Sequence, residues 1–256
     1  MSDTKDRLLA NKSMIQRWVC AAALLPLFTA TALTGCKASN EYMNTDIETS
    51  GLPTTARLDR SETVNASAST VNDSRPIIAC FGDSLTAGYG VEEESSYPAD
   101  LQRDLDAAGY HYRVVNLGIS GETTKDGLAR VDRVLALKPA IVVVEFGGND
   151  GLRGVPVASS RSNLDSILNR LTHSGTHVAM AGITLPPQYS APYIRQFNET
   201  YTVLAKKYTV PLLPFMLQDV WGVPGSIQQD GVHPTAQGCK QVAKNVLTLL
   251  RPLLKK

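Results

Sequence analysis

The feature that most constrains this chain is an alternation. From residue 76 onward, short apolar runs trade places with amphipathic stretches five times. PIIACF (76–81) is an apolar run that stops at Gly82, the pattern of a buried strand. YPADLQRDLDAAG (97–109) spaces its apolar residues near every 3.6 positions and ends on glycine, the pattern of a helix. The same reading predicts strands over 112–118, 140–147, 177–185 and 210–215, and helices over 123–137, 162–175, 193–208 and 235–254. AIVVVEFG (140–147) is continuous and β-branched, as a strand covered on both faces must be. The alternation predicts an α/β fold, a three-layer α/β/α sandwich around a five-stranded parallel sheet. Right-handed crossovers leave few strand orders, and the flavodoxin-like 2-1-3-4-5 is expected. Such sheets take their ligands outside the carboxyl ends of the strands.

The polar and glycine-rich clusters fall at that edge. FGDSLTAG (81–88) follows the first strand, GISGET (118–123) the second and GGND (147–150) the third, while DGVHP (230–234) lies between the fifth strand and the last helix. A serine hydroxyl needs a base to become a nucleophile. Of the four histidines, His111, His173 and His177 fall at the opposite edge, which leaves His233 as the base for Ser84. Asp230, three residues earlier, is within reach of the far ring nitrogen, and Gly231 permits the bend. The Ser84 N–H, the Gly121 N–H and the Asn149 side-chain amide are candidate donors to an oxyanion. Taken singly, Gly121 also reads as a plain turn glycine and Asn149 as a turn residue. Asp83 is expected to turn away from Ser84 as a cap, and Glu145, an acid inside an apolar strand, to require a partner. Thr86 stands where the second glycine of G-x-S-x-G belongs, against an ordinary α/β-hydrolase elbow.

With these residues assembled, the chain resembles the SGNH or GDSL hydrolases over about residues 76–254. The blocks appear in order as Gly82-Asp83-Ser84-Leu85, Gly121, Gly147-Gly148-Asn149-Asp150 and Asp230-Gly231-Val232-His233. GGNDGLRG (147–154), SGETTKDGLAR (120–130) and VPLLPF (210–215) resemble the thioesterase/lysophospholipase/arylesterase branch. The resemblance implies Ser84 as nucleophile, His233 as base, Asp230 as its orienting partner, and an oxyanion hole of Ser84, Gly121 and Asn149. It implies no metal and no organic cofactor. It places Leu152, Val155, Leu185 and Pro186 along an acyl pocket, with Thr184 where that branch carries an arginine. The expected substrate is a small-molecule acyl or aryl ester, a thioester or a lysophospholipid. Two other readings stay open, a carbohydrate acetyl esterase and a non-catalytic envelope-binding lipoprotein. Few aromatic residues stand ready to stack on sugars, and a binding module has no need of Ser84, Asp230 and His233 together.

The first 35 residues differ from the rest. Lys12 and Arg17 precede an apolar run from Trp18 to Leu33 that is broken by Pro26, the layout of an export signal. Its end, Leu33-Thr34-Gly35-Cys36, resembles a bacterial lipobox, which implies cleavage before Cys36 and lipidation of that cysteine. Met14 is an alternative start. Residues 36–75, rich in Ser, Thr, Asn and Asp, read as a tether, and the hydrolase domain as 76–256. On that reading the sequons at Asn65 and Asn72 are accidental. The protein is expected to be a monomer anchored through lipid in the cell envelope, on the periplasmic face of the outer membrane. A net charge of +1 gives no field for nucleic acid. Of the cysteines left in the domain, Cys80 and Cys239 are able to pair in an exported protein, but both lie in apolar elements.

Overall fold

The computed structural model describes residues 73–256. The leader, Cys36 and most of the tether lie outside the described residues. The domain carries five parallel strands: β1 (Ile77–Gly82), β2 (Arg113–Gly118), β3 (Ile141–Glu145), β4 (His177–Ala181) and β5 (Leu212–Leu213). Their order is β2-β1-β3-β4-β5, as the alternation predicts. The helices are α1 (Ser84–Ala87), α2 (Tyr97–Ala107), α3 (Thr124–Ala136), α4 (Gly148–Leu152), α5 (Val157–His173), α6 (Ala191–Tyr208) and α7 (Ala236–Leu250). α2 packs on α7, while α3, α5 and α6 pack side by side. Crossovers of one hand require that division. The β1-to-β2 connection runs one way along the sheet and the later three run the other way.

With helices on both faces, every residue of β3 is buried, Glu145 included. Gly82 pairs with Gly118 on one side and with Glu145 on the other, so three strands end at one level. The loops that follow them therefore start side by side.

Three segments depart from the sequence reading. α5 begins at Val157, five positions earlier than the pattern predicts, because its first turns carry small polar residues and show little periodicity. β4 stops at Ala181, and the segment from Gly182 to Leu185 continues without a ladder. β5 shrinks to two residues between Pro211 and Pro214, which have no N–H to give to a sheet. α7 starts after Thr235, whose side chain caps the Gly238 N–H, and ends at Leu250, close to Pro252 where the sequence allows it to stop.

Cys80 and Cys239 are both free and buried. Burial pushes the Cys80 thiol up to about 12 and the Cys239 thiol up to about 11. A thiol held so far from its thiolate is a poor nucleophile. Neither residue should react with an alkylating reagent at pH 8 until the chain is unfolded, as read site by site from peptide masses. Rapid labelling of either in the native chain would contradict the packing.

Candidate active site

Ser84 is positioned by a single turn. β1 ends at Gly82, and Asp83 caps α1 by accepting the Leu85 N–H on Oδ1 at 3.1 Å. Ser84 opens the helix, which closes when the Gly88 N–H reaches the Ser84 carbonyl at 3.1 Å. The turn lies so close to β3 that a Cβ on Gly82 would come within 2.6 Å of the Glu145 carbonyl oxygen. Beneath it, the buried Glu145 carboxyl accepts the Asp83 N–H at 3.2 Å and the Thr86 hydroxyl at 2.9 Å, both on Oε2. Its Oε1 has no partner among the described residues. Burial, and then the charge of Asp83, push the Glu145 carboxyl well above the usual range. Burial also lifts Asp83 to about 6, against the lowering effect of the Leu85 N–H. Each carboxyl makes the other harder to ionise, and the more deeply buried Glu145 is the one pushed further up.

His233 arrives on a different kind of support. Ile227 and Pro234 form an antiparallel bridge, and the Gln228 N–H meets the His233 carbonyl at 2.8 Å. Gly231 turns the loop at φ +73°, a conformation that favours glycine. The bend puts Asp230 Oδ2 at 2.7 Å from His233 Nδ1. Asp230 Oδ1 accepts the N–H groups of Val232 at 2.9 Å and His233 at 3.0 Å. Burial works to raise the Asp230 carboxyl, but those two N–H groups and the imidazole outweigh it and hold it below the ordinary value. An Nδ1 hydrogen directed at the carboxylate would leave the Nε2 lone pair free. That atom lies 2.8 Å from Ser84 Oγ.

Gly121 and Asn149 complete the rim. Gly121, at φ +84°, lies in the loop after β2, and Asn149 is the second residue of α4. The Asn149 amide donates to the Glu122 carbonyl at 2.9 Å and to Asp83 Oδ2 at 3.2 Å. The loop that carries Gly121 is held by Arg130. Its guanidinium reaches Glu122 at 2.6 Å and the Gly82 carbonyl at 3.1 Å, and lies over the Phe81 ring. Ser84, Gly121, Asn149 and His233 all border one cavity of about 410 Å³. Ser84, Gly121 and Asn149 thus border the same space as the serine hydroxyl, with the Asn149 amide bonded to the Glu122 carbonyl and Asp83.

Leu152, Leu185 and Pro186 line the cavity, and Thr184 joins them. Val155 does not. After α4 the chain folds back, its N–H bonds the Asp150 carbonyl at 2.9 Å, and its own carbonyl accepts the Tyr193 hydroxyl. Asp230 stands behind His233 rather than on the cavity wall. His173 and His177 lie at the end of α5 and the start of β4, and His111 just before β2, all away from Ser84.

Sequence reasoning missed several residues. Phe215, Leu217, Trp221 and Tyr89 line the cavity, and the Tyr89 ring packs on His233 with centroids 4.6 Å apart. Gln228 donates to the carbonyls of Tyr89 and Pro234, both at 2.8 Å, and so ties the histidine loop to the serine segment. Asp150 accepts from the Thr124 N–H and hydroxyl and from the Ser160 hydroxyl, and so pins α3, α4 and α5 together. A lone glutamine carries no pattern, but a tryptophan in a polar loop was a signal available to be read.

A hydroxyl, imidazole and carboxylate in series at the carboxyl edge of a parallel sheet are the arrangement of a serine hydrolase of the α/β class. Residues 80–241 match the GDSL-like lipase/acylhydrolase family. The chain is 44% identical over 174 residues to esterase TesA of Pseudomonas aeruginosa, a match that covers 68% of this chain and 87% of that one. It is 37% identical over 175 residues to thioesterase 1/protease 1/lysophospholipase L1 of Escherichia coli K12, covering 68% and 83%. A crystal structure of TesA superposes with a TM-score of 0.67 at 42% identity, covering 70% of this chain and 99% of that one. The chain belongs to the GDSL-like lipase/acylhydrolase family and is an ester hydrolase.

The state of Glu145 is testable. A carboxyl raised in the fold gives its full stability below its unfolded value near 4.5 and loses it as pH climbs toward the folded value. Glutamine has the same shape and never ionises. Glu145→Gln should unfold in urea within ~1 kcal/mol of the parent at pH 5 and be the more stable of the two at pH 9. Parallel stability curves across that range would mean that Glu145 is ionised in the native protein.

Proposed function

We propose that the protein cleaves acyl or aryl esters, thioesters or lysophospholipids through an acyl-enzyme on Ser84. The observation that carries this is the bonded series Ser84–His233–Asp230 opening into a cavity walled by Ile183, Leu185, Phe215 and Leu217. In this mechanism His233 Nε2 takes the hydroxyl proton as Ser84 Oγ attacks the carbonyl carbon. Asp230 holds the imidazolium that forms. The Ser84 and Gly121 N–H groups and the Asn149 amide receive the oxyanion. Collapse expels the alcohol or thiol, which takes the proton from His233. Water, deprotonated by the same imidazole, then releases the acid and restores Ser84. Apolar walls favour an acyl chain over a sugar, which places carbohydrate deacetylation second.

We further infer that the protein works as a monomer in the cell envelope, held there by lipid on Cys36. The support is the Leu33-Thr34-Gly35-Cys36 stretch behind an apolar run with a basic flank. Two or more acyl chains suffice for stable attachment. Among the described residues no helix is long and apolar enough to cross a membrane.

Two measurements test these readings. Across nitrophenyl esters of rising chain length, an acyl-thioester and a lysophospholipid, Ser84→Ala should lower kcat by roughly 10⁴–10⁶ without changing the unfolding midpoint. Turnover close to the parent's would remove Ser84 from the mechanism. Cys36→Ser should move the protein from the membrane fraction to the soluble one. Continued retention of a chain whose mass still includes the leader would point to an uncleaved leader as the anchor.

A further inference from the structure

The described residues expose seven large hydrophobic side chains; three of them line the cavity, and two more lie within two residues of the cavity wall in sequence. Tyr89, Leu152 and Trp221 line it. Ile119 adjoins the Ser120–Gly121 wall, and Val223 lies two residues beyond Trp221. These five are 41–54% exposed. The other two, Leu137 and Val203, sit singly at the end of α3 and on α6. Exposed apolar side chains are normally scattered, and a ring of them around an opening marks a docking face. Substrate binding alone does not account for the ring, because Ile119 and Val223 are not on the cavity wall.

We propose that this collar docks on a lipid bilayer, the membrane that holds Cys36, so that the cavity opens against the lipid surface. The proposal rests on the reading of the protein as an anchored ester hydrolase. Its occupant follows from where the chain outside the described residues begins and ends. The strands are parallel, so the chain enters β1 at the amino edge, while the mouth is at the carboxyl edge. A short tether would hold the mouth away from the membrane. The stretch from Cys36 to Asp73 can span at most on the order of 120 Å. A domain of this size is on the order of 40 Å across. The tether is therefore long enough for the collar to reach the surface that carries the anchor. Arg153, exposed and bonded to the Gly121 carbonyl at 3.0 Å, puts a cation beside the Gly121 loop, within reach of a lipid phosphate docked there.

The test uses residues 73–256, which lack both the leader and Cys36. This segment holds its own core, and the solved TesA chain, 99% of which is matched, is a domain of the same extent. Trp221 is its only tryptophan, so the emission reports on the collar alone. On addition of phosphatidylcholine vesicles, Trp221 emission should shift to shorter wavelength and the domain should sediment with the lipid. Ile119→Ser and Val223→Ser should each weaken partitioning roughly tenfold. Both should turn over a water-soluble short-chain ester at the parent rate. Turnover of that ester with no shift and no sedimentation at millimolar lipid would overturn the docking proposal and leave the hydrolase reading standing. No turnover by the parent domain would instead count against the hydrolase reading. Binding that appears only with anionic phosphatidylglycerol and disappears in salt would also overturn the proposal, since the attraction would then be charge and not the collar. A Trp221 shift that both serine variants keep in full would assign it to a lipid tail in the cavity.

Discussion

One buried carboxyl supports the whole serine corner. Glu145 closes β3 at the level where β1 gives way to the turn that carries Ser84, and it accepts the first N–H of that turn and the Thr86 hydroxyl. A backbone N–H buried without an acceptor costs about 1–3 kcal/mol. The Thr86 hydroxyl, equally buried, adds a like demand. A neutral carboxyl satisfies both without the larger cost of burying a charge. Gly82 is the counterpart, since any side chain there would strike β3 and lift the turn from its support. The nucleophile is thus set by the interior of the sheet, not by its own loop.

The other corners reach Ser84 from separate loops, and cross-links keep them in place. Arg130 joins the Glu122 side chain to the Gly82 carbonyl, so the Gly121 loop cannot drift from the end of β1. Asp150 fastens α4, and hence Asn149, to Thr124 and Ser160. Gln228 fastens the histidine loop to Tyr89. An oxyanion donor is worth most when it does not have to reorganise as charge develops. Each cross-link lies one residue or a few from a proposed donor or base, which is where that stiffness counts.

The strands β1 and β3 were legible because burial on both faces leaves an unbroken apolar run. The order of the sheet followed because crossover handedness excludes most alternatives. Ser84, Gly121, Asn149 and His233 were legible as a group because loops after successive parallel strands must emerge together. What escaped were elements too short to show a period, such as α1 and α4 at four and five residues. Periodicity cannot show how far a strand or helix is cut back by its neighbours, as with β5 between two prolines. It also cannot show which way a loop turns. Val155 sits three residues beyond Leu152, yet a bond from its N–H to Asp150 takes it off the cavity. Gln228 acts through two carbonyls that are 139 and six positions away, and no local pattern encodes such a contact.

Asp83 poses the remaining electrostatic question, since a carboxylate beside a developing oxyanion should oppose it. Its two oxygens are committed elsewhere, Oδ1 to the Leu85 N–H and Oδ2 to the Asn149 amide. The Asn149 amide has two hydrogens, and the one on the Glu122 carbonyl is held at 2.9 Å, the one on Asp83 at 3.2 Å. In the proposed mechanism the longer of these bonds is the one an oxyanion displaces, while the shorter keeps the amide in place. The exchange trades one charge-assisted hydrogen bond, to the Asp83 carboxylate, for another, to the oxyanion. Asp83 then serves the site by holding the Asn149 amide in place, with each of its own oxygens already on a donor.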